Sequence, residues 1–107
     1  MVQYQLDSAF AAVADPIRRG ILASLSGQKA SISDLARSFG MSLTGIKKHV
    51  AVLEQARLVA TTKVGRVRTC RLGPNRMERE AKWIAEYQRT MEASYRRLDA
   101  LLERIKD

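Results

Sequence analysis

The stretch that decides the fold is Ser31-Ile32-Ser33-Asp34-Leu35-Ala36-Arg37-Ser38-Phe39-Gly40-Met41-Ser42-Leu43-Thr44-Gly45-Ile46-Lys47-Lys48-His49-Val50-Ala51-Val52-Leu53-Glu54-Gln55. Two helix starts are written into it. Ser31, followed three positions later by Asp34, reads as a capping box with Asp in place of the usual Glu or Gln. Ile32, Leu35, Ala36 and Phe39 form one apolar stripe behind it, and Gly40 supplies a left-handed stop. Ser42 then caps a second helix. At about 100° per residue, Leu43, Ile46, Val50 and Leu53 of that helix fall within about 80° of one another and are expected to face inward. Two short helices joined by a tight Gly-Met turn make a helix-turn-helix, which we place over residues 31–57.

The outward face of the second helix presents Thr44, Lys48, Ala51 and Gln55, with Lys47 and His49 on its shoulders. It offers donors for phosphates and base edges, a hydroxyl and no carboxylate, which suits a DNA major groove. The candidate contacts are Ser42, Thr44, Gly45, Lys47, Lys48, His49 and Gln55. A Lys-Lys pair alone is as often a solvated helix face, and His49 is as readily a packing residue. The capped helix before the pair and the basic segment after it favour a groove reader. Which bases are read does not follow, since Thr, Lys and Gln each accept more than one.

Beyond Arg57 the pattern turns strand-like. Residues 58–63 and 67–72 are rich in Val, Thr and Arg, with Val64-Gly65-Arg66 as the turn between them. This predicts a two-stranded β wing over residues 58–72. Lys63, Arg66 and Arg68 surround its tip and are candidate contacts to DNA backbone or minor groove, Arg66 foremost. The competing explanation is that basic residues simply protect a sheet edge. Cys70 shares a face with Arg68 and Leu72 and is expected to pack inward. A redox-responsive role would need an exposed thiolate, and the neighbouring Arg68 and Arg71 keep that alternative open.

On the N-terminal side, Leu6, Phe10, Val13 and Ile17 recur at helical spacing, interrupted by Asp15-Pro16. A helix over about 6–14 and another over about 16–25 follow, the second capped by Asp15 with Pro16 in its first turn. On the C-terminal side, no Gly or Pro occurs between Asn75 and Lys106. Ile84, Met91, Leu98 and Ile105 recur in heptads, and Tyr87 and Leu101 sit three residues after two of them. The result is a helix of roughly 45 Å with an apolar seam. A seam that long is not buried by a domain this small, so a second copy is expected. We assign its core to Leu6, Phe10, Val13, Ile84, Tyr87, Met91, Leu98, Leu101 and Ile105, making residues 1–14 and 75–107 dimerisation helices of a single domain, 1–107. Trp83, Tyr87 and Tyr95 fit packing at such a seam better than a ligand pocket.

The charge distribution agrees. The 107-residue chain carries a formal net charge of +8. Residues 42–72 hold seven basic residues against Glu54 alone, a net +6, while the flanking segments are each +1. So confined an excess marks a polyanion footprint. Hydrophobic residues at 46% and charged residues at 28% suit a folded domain. No stretch approaches the roughly 20 apolar residues of a membrane span, and the near-neutral last helix is a poor membrane-surface element. The start of the chain lacks signal-peptide character, and one cysteine forms no internal disulfide; a cytoplasmic location is expected. With one His, one Cys, no phosphate-binding glycine loop and no serine placed beside a base, no enzyme is expected and no cofactor.

The string Ala14-Asp15-Pro16-Ile17-Arg18-Arg19-Gly20-Ile21-Leu22 resembles the ADPTRRAIL signature of the ArsR/SmtB family of winged-helix regulators. Ser31 to Ala36 and Met41 to Glu54 continue the resemblance, and Gly65 to Leu72 matches the family's wing. The resemblance implies a mainly α winged helix-turn-helix with a two-stranded wing and long terminal dimerisation helices. It further implies a homodimer that binds double-stranded DNA at a pseudo-palindromic operator and represses, often its own operon, until a signal releases it. Metal-sensing members open the third helix with a Cys-Val-Cys-Asp-Leu element. Here Ser31 and Ser33 stand in those places, hydroxyls are poor ligands for soft metals, and no His follows His49. The chain is therefore similar to the metal-independent branch, with no metal site and an inducer that the residues do not name. Lys47, where the family commonly has Ser, implies an operator of its own. A winged helix used for non-specific nucleic-acid binding or as a protein-interaction scaffold is the alternative.

Overall fold

A computed structural model of the protein describes residues 2–106, with side chains from Asp7 onward. The elements are α1 (Val2–Val13), α2 (Pro16–Ser24), β1 (Ala30–Ser31), α3 (Ile32–Phe39), α4 (Leu43–Gln55), β2 (Val59–Val64), β3 (Val67–Leu72) and α5 (Glu78–Lys106). The chain forms two compact units divided between Met77 and Glu78. No helix among the described residues is long and apolar enough to cross a membrane.

Local chemistry sets the helix starts. Asp15, in extended backbone, accepts from the Arg18 backbone N–H at 3.0 Å and caps α2, with Pro16 in its first turn. Ser31 Oγ accepts from the Asp34 N–H at 3.0 Å to open α3, and Ser42 Oγ from the Gly45 N–H at 3.1 Å to open α4. Only half of the expected capping box forms, because the Asp34 carboxylate turns to Arg37 at 3.3 Å instead.

The helix ends differ in kind. Gly40 takes φ 61° after α3, and Met41 N–H reaches back to Ala36 O at 2.9 Å, the left-handed stop read from the sequence. The same geometry ends α4, where Leu58 N–H bonds Leu53 O at 3.0 Å, but there the left-handed residue is Arg57 at φ 63°. A residue bearing a Cβ in that conformation costs on the order of 1 kcal/mol.

The wing forms as expected, with β2 and β3 antiparallel from Val59↔Leu72 to Val64↔Val67 and Gly65 at φ 61° in the tight turn. It is not isolated. Ala30 and Ser31 pair with Cys70 and Thr69, giving a three-stranded sheet in the order β1-β3-β2. This third strand has no sequence signal; two residues pair there because α3 is docked beside β3.

The core of the first unit joins Ala12, Ile21, Leu25, Leu35, Ile46, Leu53, Val59 and Cys70. Ile46, Val50 and Leu53 are buried as expected, but Leu43 is not: it is 49% exposed, in the first turn of α4 ahead of the buried stripe. Leu72, expected to pack beside Cys70, is 46% exposed at the end of β3, while Cys70 is fully buried.

The second unit is α5, beginning at Glu78 rather than near Asn75. Ile84, Tyr87, Leu98, Leu101 and Ile105 of its heptad seam are exposed, and Met91 is half-buried. Trp83 stacks on Tyr87 with ring centroids 5.4 Å apart. In α1, Val13 packs against the core of its own unit and Phe10 is half-buried. Leu6 lies outside the residues whose side chains are described.

Candidate nucleic-acid interface

The inward stripe of Ile46, Val50 and Leu53 fixes the rotation of α4. Thr44, Lys47, Lys48, Ala51 and Gln55 are consequently exposed. Ser42 is exposed but its Oγ is committed to the helix cap. Gly45 is half-buried, and a Cβ there would stand 3.0 Å from Met41 Cε and 3.3 Å from Ser42 Oγ. Lys63, Arg66 and Arg68 all lie on the exposed wing, flanked by Val64 and Val67.

Two of these residues are held by networks that the sequence did not reveal. Arg68 donates from Nη1 to Thr61 Oγ1 at 3.1 Å, and that hydroxyl donates to Glu54 Oε2 at 2.7 Å. The wing is thus tied to the last turn of α4 through one threonine. His49 is half-buried, with Nδ1 3.1 Å from Arg18 Nη1. A guanidinium only donates, so Nδ1 accepts and the ring proton sits on Nε2.

Arg18 is the residue that sequence reasoning missed. Its Nε donates to Ala12 O at 2.7 Å and its Nη2 to Ala11 O at 3.2 Å. It therefore caps the carbonyls at the end of α1, where Ala11 O also accepts from the Ala14 N–H at 3.2 Å, while gripping His49 on α4. Arg19 adds a bond from Nη1 to Val13 O at 2.8 Å. The paired arginines of the Asp-Pro-Ile-Arg-Arg string are a clamp on the α1–α2 corner, and Arg18 extends it to the candidate recognition helix. Asp15, 4.0 Å from His49 Nδ1, completes the cluster. The Arg18 backbone N–H holds the Asp15 carboxyl below the usual carboxylate range against some desolvation, helped by the charge of Arg18.

Cys70 lies beneath this surface. Burial pushes its thiol up, the Glu54 charge adds to that, and Arg68 opposes it. A buried thiol with a raised pKa is a poor nucleophile, so the geometry gives the redox alternative no support. Ser31 uses its Oγ as a helix cap, and Ser33 is exposed. Among the described residues, no three His, Cys, Asp or Glu side chains group as a metal site. Between the start of α3, the start of α4 and the wing is an open cleft of about 550 Å³ lined by Arg37, Leu43, Lys47, Lys63, Arg66, Val67 and Arg68, with Ser31, Ile32, Ser33 and Asp34.

Comparison with known proteins accords with this geometry. The family described as a helix-turn-helix domain matches residues 13–62. The crystal structure of an ArsR family transcriptional regulator superposes with a TM-score of 0.77 at 40% identity, covering 84% of this chain and 93% of that one. The transcriptional repressor SdpR of Bacillus subtilis (strain 168) is 27% identical over 82 residues, 77% of this chain and 91% of its own. The solution structure of a homodimeric winged helix-turn-helix DNA-binding domain from Mycobacterium bovis shares the fold, with a TM-score of 0.65 at 22% identity over 88% of this chain and 84% of that one. With a capped helix pair, a β wing and a basic outer face matching a regulator over nearly its whole length, this chain belongs to the ArsR family of winged helix-turn-helix transcriptional regulators.

Proposed function

We propose that the protein is a homodimeric repressor that binds a pseudo-palindromic operator, controls its own promoter and answers to a signal other than a metal. The observation that carries this is the exposed face of α4, with Thr44, Lys47, Lys48 and Gln55 beside a wing bearing Lys63, Arg66 and Arg68. Lysine and arginine there neutralise phosphate, while the amide and hydroxyl reach base edges. His49 joins the contacts through its Nε2–H edge. Repression is supported by the relative named as a repressor, and metal independence by hydroxyls where thiolates would be needed.

Dimerisation is supported by the α5 seam, five of whose apolar side chains are 43–68% exposed, and by the homodimeric relative of the same fold. An exposed apolar row of this length is stabilised by a partner at about 25 cal/mol per Å² buried. Val13 is used by its own unit, so α5 carries most of that interface. Two copies would present their α4 helices about 34 Å apart, one DNA turn. The protein would act in the cytoplasm, where such an operator lies.

The test is fluorescence anisotropy on the region upstream of its own gene and on random duplex, across a salt series. A repressor keeps a large affinity ratio at every salt concentration, typically about 10³ or more. Equal affinities would mean a non-specific binder and sink the proposal. Lys47→Gln with Lys48→Gln should lower the salt slope by about 0.9 for each phosphate left without its cation. Met91→Glu with Leu98→Glu should sediment as monomers that no longer bind; a persistent dimer would exclude that seam.

A further inference from the structure

The cleft beside the wing has a volume of about 550 Å³, inside the range of about 300–1,000 Å³ typical of small-ligand sites. Its lining is chemically one-sided. Arg37 from α3, Lys47 from α4, and Lys63, Arg66 and Arg68 from the wing converge on it, against the single carboxylate of Asp34. Asp34 is paired with Arg37 at 3.3 Å, and Arg68 is anchored on Thr61. Among the described residues, Lys47, Lys63 and Arg66 have no hydrogen-bond or ion-pair partner. Leu43 and Val67, 49% and 54% exposed, add apolar wall.

Cations gathered from three elements repel one another, and a single multivalent anion relieves several of those repulsions at once. Arginine forks and lysine ammonium groups match phosphate oxygens. The apolar wall gives a ligand body something to cover. We propose that this cleft binds a compact polyphosphorylated small molecule, with adjacent phosphates among Lys47, Lys63 and Arg66 and an apolar part against Leu43 and Val67. Binding there competes with DNA. The competition rests on the DNA-binding reading above, because the same three cations serve both ligands; the binding itself does not.

The experiment is isothermal titration of the full chain with tripolyphosphate at fixed ionic strength. One site per chain is expected, at least about tenfold tighter than for sulfate. Lys63→Gln with Arg66→Gln should weaken it about tenfold or more. Asp34→Asn should tighten it about threefold, since it removes the only opposing charge on the lining and leaves the α3 cap, a Ser31–backbone bond, intact. Glu103→Gln on α5 changes the net charge equally and should leave the affinity unchanged. Identical responses to Asp34→Asn and Glu103→Gln, or no saturation, would overturn the site in favour of diffuse charge. Tripolyphosphate should also displace labelled operator with an inhibition constant equal to its direct Kd. Saturable binding without displacement overturns the competition. A chain that binds tripolyphosphate in this Asp34-dependent way but binds no operator retains the cleft and retires the repressor proposal.

Discussion

Replacing Arg18 by Met keeps an apolar stem of similar reach and deletes every donor of the guanidinium. Three bonds disappear: to Ala12 O at 2.7 Å, to Ala11 O at 3.2 Å and to His49 Nδ1 at 3.1 Å. A charged hydrogen bond contributes about 1.5–3 kcal/mol net when shielded and less when its acceptor re-solvates. The Ala11 bond is exposed and contributes little; the other two are partly buried. The expected loss is about 2–4 kcal/mol, a large share of the roughly 5–15 kcal/mol available to a domain. Urea unfolding at fixed protein concentration measures it, with Arg19→Met as the control. That variant loses only an exposed bond to Val13 O and should cost under about 1 kcal/mol. Because Arg18 also orients His49, Arg18→Met should weaken operator binding even where the protein is fully folded. If Arg18→Met unfolds within about 0.5 kcal/mol of the parent, the Arg18 clamp contributes nothing to stability.

Three further outcomes follow from particular contacts. Asp15 has its folded pKa depressed, chiefly by the Arg18 backbone N–H. Its stabilising effect is complete above the unfolded carboxylate value near about 4 and fades as pH falls through the folded value; Asp15→Asn should flatten the stability profile there, and an unchanged acid limb would refute the cap. Cys70 is fully buried with its thiol pushed up, so a thiol-specific disulfide reagent should label it only as the protein unfolds, and peroxide should leave operator binding unchanged. A Cβ on Gly20 would meet Phe39 Cε1 at 2.7 Å; Gly20→Ala should therefore destabilise alone but stabilise by about 1 kcal/mol in a Phe39→Leu background, where the helix preference of Ala is released. Additive effects in that double-mutant cycle would rule out the clash.

The helix starts at Asp15, Ser31 and Ser42, the stop at Gly40 and the turn at Gly65 were legible because each depends on groups within about four residues of one another. Hydrophobic period placed Ile46, Val50 and Leu53 inward, and with them the basic face of α4 outward, for the same reason. Local pattern could not give the ending of α4, since nothing marks Arg57 as a left-handed residue until Leu58 bonds back to Leu53. Leu43 belongs to the apolar stripe by angle, yet it faces the cleft, because burial depends on where the neighbouring elements end. The strand at Ala30–Ser31 exists only by pairing with residues about forty positions away. Arg18 and His49 lie 31 positions apart, and the five cations of the cleft come from three elements. Sequence alone determined the five helices, the two strands of the wing and which faces are charged, because those rest on short-range bonds and periodicity. Which side chains meet was decided only by the tertiary structure, because packing brings together groups that no local rule connects.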